Sequence, residues 1–212
     1  MDTFNAIINF FQTGGAFMWP ILLVLAIGMA IGLERYIIIS KSQISMRRTW
    51  GRLLPLLESH DYNAAVAMMS RSKSQLSTVL TYGFNRLSTA QRRDDVEAAM
   101  EEGMMEVMPS LEARTHYLAT YANIATLLGL LGTIIGLIQA FTAVANADPA
   151  EKADLLSASI SIAMNTTAFG LIAAIPLLLL HTVIQTKTSK LIDNLEMAAV
   201  KCLNLITTKK KA

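Results

Sequence analysis

One cysteine, Cys202, in a chain of 212 residues excludes an intrachain disulfide and a cysteine-based metal site. Charge is also missing, and unevenly so. Two runs, Tyr117 to Ala147 and Leu155 to Ile184, contain no Asp, Glu, Lys or Arg. No basic residue precedes Arg35, and no small-residue cleavage pattern leads into a polar start, so the N-terminal apolar run does not read as a signal peptide. No glycine-rich phosphate loop, no Ser/His/Asp nucleophile set and no metal-ligand spacing occurs. These absences argue against an enzyme, and no cofactor is expected.

What is present is apolar. A mean hydropathy of +0.43 with 53% hydrophobic residues belongs to a membrane protein. Both charge-free runs exceed the roughly 20 residues that a bilayer core requires. A third run, Ala16 to Leu33, extends past Glu34 and Arg35 through Ile37 to Ile39. Of the 18 Lys and Arg residues, eleven lie between Arg35 and Arg114 and six from Lys187 onward, with Lys152 alone in the 147–154 loop. The positive-inside rule then makes 41–115 and the C-terminal tail cytoplasmic, with the N-terminus and the 147–154 loop outside. The net charge of +2 is no nucleic-acid footprint, because the basic residues alternate with Asp94, Asp95, Glu97, Glu101 and Glu102 on what reads as solvated helix surface.

The fold class expected is an all-α membrane protein with three transmembrane helices. Two of them are very long and extend into the cytoplasm, joined by a cytoplasmic helical region and preceded by a short N-terminal amphipathic helix. Phe4, Ile7, Ile8 and Phe11 mark that first helix, in a periplasmic segment 1–15. The spans are 16–40, 116–147 and 155–185, separated by the cytoplasmic region 41–115 and the outer loop 148–154, and followed by a helical tail, 186–212. Within 41–115, His60-Asp61-Tyr62-Asn63 reads as a turn and N-cap, and a helix is expected from Gln75 to Leu87. A helix starting at Asp94 or Asp95 is expected to run straight into the second span, bent at most at Pro109. The third span meets no breaker after Pro176 and should continue to Ile206.

A helix that only sits in lipid would be Leu, Ile and Val all round, and these spans are not. On the second, Gly129, Gly132, Thr133, Gly136 and Ala140 share one face, opposite Leu127, Leu131, Ile134 and Ile138. On the third, Ser159, Ala163, Thr166, Thr167, Gly170 and Ala174 form a comparable stripe. Gly129, Gly132, Gly136 and Gly170 read as close helix packing. For Thr133, Thr166 and Thr167 the residues alone leave two roles open, packing with back-bonded hydroxyls or the lining of an ion path. No carboxylate lies inside the second or third span, so a chain that moves cations needs the acid from a partner.

Several segments carry a resemblance. Gly14-Gly15-Ala16-Phe17-Met18-Trp19-Pro20, Leu33-Glu34-Arg35-Tyr36, the run from Leu127 to Gly136 with Phe141, and the run from Thr167 to Pro176 resemble the MotA/TolQ/ExbB family, nearest its ExbB and TolQ branch. The resemblance implies a multi-pass subunit of the bacterial inner membrane, a homo-oligomer that forms a ring, pentameric in the family. The ring encloses a dimeric single-span partner of the ExbD/TolR type, whose membrane aspartate is the missing acid. Ion flow would then drive work on a TonB-like periplasmic system. Thr133 and Thr167 match the family's pore-lining threonines. At Ile162 the chain departs from the pattern, since that branch usually carries a glutamate there. The pair Thr166-Thr167 looks more like sodium-driven flagellar stators, so transient Na⁺ at Thr133, Thr166 and Thr167 is expected slightly ahead of H⁺. The alternative is a passive scaffold that holds partner helices without conducting.

Overall fold

The computed structural model describes residues 14–87, 89–90, 92–145 and 147–207. The expected amphipathic helix around Phe4 to Phe11 lies outside the described residues. Six helices follow in order: α1 Met18–Glu58, α2 Tyr62–Arg71, α3 Gln75–Leu87, α4 Arg93–Glu112, α5 Thr115–Ala145 and α6 Lys152–Thr207. Three stretches, Met18–Glu58, Arg93–Ala145 and Lys152–Thr207, are long and apolar enough to cross a membrane. At 1.5 Å per residue, the 56 residues of α6 extend about 84 Å, nearly three times the roughly 30 Å of a hydrocarbon core. The first of them, α1, is long as well, carrying 41 residues without a break. Its Pro20 lies in the first turn, where no helical N–H bond is lost.

The chain divides into two compact units, Met1–Leu33 with Arg114–Thr182, and Glu34–Ala113 with Val183–Ala212. The first is a three-helix bundle built from α5 and the starts of α1 and α6. Its α5 seam is Leu118, Ala122, Ala125, Gly129, Gly132 and Ala140, spaced mostly by alternating threes and fours. The facing α6 seam is Ala163, Thr166, Gly170, Ala173, Ala174 and Leu177. Side chains this small bring the two backbones together: a Cβ on Gly170 would stand 2.8 Å from the Ala125 carbonyl and 3.0 Å from the Gly129 Cα. The large side chains of this unit point out instead, with Leu127, Ile134, Ile138 and Leu179 all more than half exposed. Apolar all round and dry on no side, such helices suit lipid or neighbouring helices.

The second unit packs α2, α3, α4 and the continuations of α1 and α6. On α1 the buried positions include Arg35, Ile39, Ser42, Met46, Thr49 and Leu53, and on α6 they include Ile184, Thr188, Leu191, Leu195, Ala198 and Cys202. Both series alternate steps of four and three, the heptad spacing of a coiled-coil seam. Ser42, Thr49 and Thr188 interrupt its hydrophobicity, which is why the repeat is hard to see in the sequence. Lys187 ties the helices near the top of this seam, donating to Ser40 Oγ at 3.1 Å and lying 3.7 Å over the Tyr36 ring. Helices α3 and α4 meet closely at Gly103, where a Cβ would come within 2.9 Å of the Val79 Cα.

Two helix ends have identifiable causes. After α1, His60 adopts φ +59°, the Asp61 N–H donates to the Leu56 carbonyl at 3.0 Å, and Asp61 Oδ1 then accepts from the Ala64 N–H at 3.0 Å. Such a left-handed stop and side-chain cap satisfies backbone groups that helix ends leave orphaned. The expected uninterrupted helix from Asp95 into the second span is corrected at Ala113 and Arg114, where Arg114 takes φ +59° and α5 restarts at Thr115. A tertiary contact accompanies the break. The buried Arg35 guanidinium donates to the Ser110 and Leu111 carbonyls, meeting the end of α4 with positive charge.

Candidate functional site

Within the first unit, three hydroxyls sit on the α5–α6 seam, and the structure sorts them into a pair and a single. Thr133 Oγ1 and Thr167 Oγ1 are in direct hydrogen-bond contact. Thr133 Oγ1 also reaches the Gly129 carbonyl at 3.1 Å and the Ala163 carbonyl at 3.3 Å, while Thr167 Oγ1 reaches the same Gly129 carbonyl at 3.1 Å. Four oxygens, two hydroxyl and two carbonyl, are therefore gathered between α5 and α6. The cluster exists because Gly129 and Gly170 let the helices touch one turn away.

Thr166 takes no part in it. Its hydroxyl donates within 2.6 Å of the Gly14 carbonyl and 3.0 Å of the Ile162 carbonyl, and the residue is 2% exposed. Its methyl carbon packs where a side chain on Gly132 would have to go, beside Phe17 Cβ. Neighbours in sequence, Thr166 and Thr167 point about 100° apart around a helix of 3.6 residues per turn, so they serve different partners. Gly136 closes the seam, with a would-be Cβ 3.0 Å from the Ala163 Cβ. All four glycines singled out in the sequence thus meet helices of the same chain.

The chemistry of the cluster follows from its inventory. A hydroxyl donates one proton and accepts two bonds, so the two protons on the line from the Gly129 carbonyl through Thr167 and Thr133 to the Ala163 carbonyl can point either way, each ordering leaving one end carbonyl without a proton from the line. Neither hydroxyl can hold an ionic charge at accessible pH. Both residues are half-buried in the single subunit, so one side of the pair stays open to an approaching group. Among the described residues no group of three or more His, Cys, Asp or Glu could hold a metal ion. The site can solvate a passing cation or hydrogen-bond an incoming carboxylate, and it supplies no acid of its own. Ile162, where the resemblance led to an expected glutamate, is 40% exposed. Sequence reasoning did not find the carbonyls of Gly129, Ala163 and Gly14. A hydroxyl four residues after a glycine, as Thr133 is after Gly129, was the available signal for the first of these.

The sequence profile of the MotA/TolQ/ExbB proton channel family matches residues 71–197. A putative biopolymer transport protein ExbB homolog of Methanothermobacter thermautotrophicus is 28% identical over 200 residues, covering 93% of this chain and 69% of that protein. An ExbB-like protein of Synechocystis, described as a putative biopolymer transport protein, is 25% identical over 176 residues, or 82% of this chain and 83% of the relative. The Tol-Pal system protein TolQ of Haemophilus influenzae is 40% identical over 78 residues, 37% of this chain and 34% of its own length.

Proposed function

Because the chain belongs to the MotA/TolQ/ExbB proton channel family, we propose that it is the ring-forming subunit of an ion-driven motor in a bacterial inner membrane. It is a multi-pass membrane protein, with three helices fit to span a bilayer. The motor couples an ion gradient to work on an envelope system of the TonB or Tol-Pal type; one relative is a Tol-Pal system protein and another a putative biopolymer transport protein. The ring is a pentamer around a dimeric single-span partner of the ExbD/TolR kind, and the partner's membrane aspartate approaches the open side of the Thr133–Thr167 pair. The heavy Lys and Arg bias puts residues 41–115 and 186–212 in the cytoplasm and 147–154 in the periplasm.

The observation that carries this reading is the oxygen cluster of Thr133, Thr167, Gly129 and Ala163, set within the charge-free stretches of α5 and α6. A half-buried hydroxyl pair with carbonyls already in reach adds little to stability, about 0.6 kcal/mol per interhelical bond in a membrane. Its value lies in what it offers a carboxylate or cation. The coupling ion is H⁺. Support comes from Thr166, whose oxygen faces the Gly14 carbonyl and so does not join the set that a dehydrated Na⁺ would need. One charge moved across 100 mV releases about 2.3 kcal/mol, so several ions are required for each mechanical step of any size.

The test is partner-dependent activity of the two-protein complex, measured against Na⁺ concentration at fixed pH. Thr133→Val and Thr167→Val keep the shape and remove the hydroxyl, and each is expected to abolish energised function while the complex stays assembled. Thr166→Val is expected to leave the ion dependence unchanged. Full activity in both of the first two variants would favour the passive scaffold. A requirement for Na⁺ that Thr166→Val relaxes would make sodium the coupling ion.

A further inference from the structure

The second unit carries two grooves of opposite charge. One, of about 910 Å³, runs between α1 and α2 and is lined by Lys41, Arg48, Arg52 and Arg71 over Ile44 and Met68, with no acidic residue in its wall. Among the described residues none of these four cations makes an ion pair or a hydrogen bond. The other, of about 360 Å³, lies between α4 and α6, where Glu97, Glu101 and Glu196 frame methionines and Val200. Met105 is 71% exposed and Val200 49% exposed, so its apolar part is open as well. The grooves share no residue.

Their heights along the helices agree. Arg93 donates to Asn204 Oδ1 at 2.7 Å, which sets the register of α4 against the oppositely running α6. Counting back from that contact, Glu97 lies level with Val200 and Glu101 with Glu196. On the other side of α6, Met46, Arg47 and Gly51 of α1 line one cleft with Asn194, Ala198 and Lys201, and the Gln43 amide reaches the Lys187 carbonyl at 3.4 Å. By that register Arg48 stands near residue 195 and Arg52 near residue 199. The basic pair and the acidic triad therefore occupy the same axial level on different faces.

We propose that the basic groove of one subunit receives the acid-and-methionine groove of a second copy of this chain, with Arg48 opposite Glu101 and Glu196 and Arg52 opposite Glu97. The contact is heterologous, one face meeting a different face, and repeats around an axis parallel to the helices until it closes. Equal height is what such an axis demands. This rests on the ring reading above and adds to it the surface by which neighbours choose each other. Exposed ion pairs contribute little singly, so the charges set register and partner choice while Met105, Val200, Ile44 and Met68 supply the buried area.

The experiment uses the full chain with its single-span partner in detergent and in native-lipid discs. Arg48→Cys and Glu101→Cys are placed on one chain and treated with a short bismaleimide. Native Cys202 is buried and its thiol is pushed up to about 12, which keeps it silent. A ladder of cross-linked species reaching the full ring is expected from the double variant, and none from either single variant. Reversal by Arg48→Glu with Arg52→Glu should cut ring yield at least tenfold in native mass spectrometry, and adding Glu101→Arg with Glu196→Arg should restore it. A native ring without the ladder would overturn this contact and leave the ring standing, whereas a monomeric native protein would overturn both. Loss of copurifying anionic lipid, with the ring unchanged by the reversal, would make the basic groove a lipid site and also overturn the proposal.

Discussion

Gly170→Ala adds one methyl group at the closest approach of α5 and α6, and the structure indicates what that methyl meets. Its carbon would stand 2.8 Å from the Ala125 carbonyl oxygen and 3.0 Å from the Gly129 Cα, both backbone atoms that no rotamer change can move. Ordinary contact needs about 3.4 Å or more, so the helices must part by roughly half an ångström. Overpacking costs about 1–3 kcal/mol, and two immovable backbone contacts place this case at about 2–3 kcal/mol. Alanine recovers up to about 1 kcal/mol of helix propensity over glycine, leaving a net loss of about 1–2 kcal/mol, a five- to thirtyfold change in the folded ratio. The same parting stretches the bonds of Thr133 to Ala163 at 3.3 Å and of Thr167 to Gly129 at 3.1 Å, so activity should fall with stability. Gly51→Ala is the control: no atom lies within 4 Å of its added carbon, and a gain of up to about 1 kcal/mol is expected. Denaturant titration in mild detergent, followed by circular dichroism, measures both. A Gly170→Ala protein as stable as the native one, or shifted in the same direction as Gly51→Ala, would refute the seam.

Other outcomes follow from the same geometry. Gly132→Leu should destabilise the isolated subunit before it affects any ring, because its side chain would enter the space of the Thr166 methyl and Phe17, and thermal unfolding of the purified protein checks this. The Cys202 thiol, raised by burial from 9.0 to about 12, should stay unreactive to maleimide at pH 8 in the native state and react on unfolding. Its raised value contributes stability that is complete below pH 9 and lost as pH climbs through 9 towards 12, read as a falling denaturation midpoint. Ala147→Cys should be labelled by an impermeant maleimide in spheroplasts, and labelling only after permeabilisation would reverse the proposed orientation.

Much of this protein is decided by information that fits within a helical turn or along one uninterrupted run. Charge-free stretches beyond the bilayer length and the small-residue stripes on Gly129 and Gly170 need no knowledge of the fold to be seen. The helix Gln75–Leu87 and the Asp61 cap on α2 are local for the same reason, since their signals are a cap, a breaker and a periodicity. Tertiary structure decided whatever depends on a residue far along the chain. The break at Arg114 goes with Arg35, which holds carbonyls 75 and 76 residues away. The heptad seam of α1 and α6 is visible only once Ser42, Thr49 and Thr188 are found buried in it. Three threonines that look alike in sequence part company for one reason: Thr167 faces α5 and Thr133, while Thr166 turns to a Gly14 carbonyl 152 residues distant. A hydroxyl bonds to whatever polar atom the packing brings within about 3 Å, and no pattern along one helix states what the next helix will present.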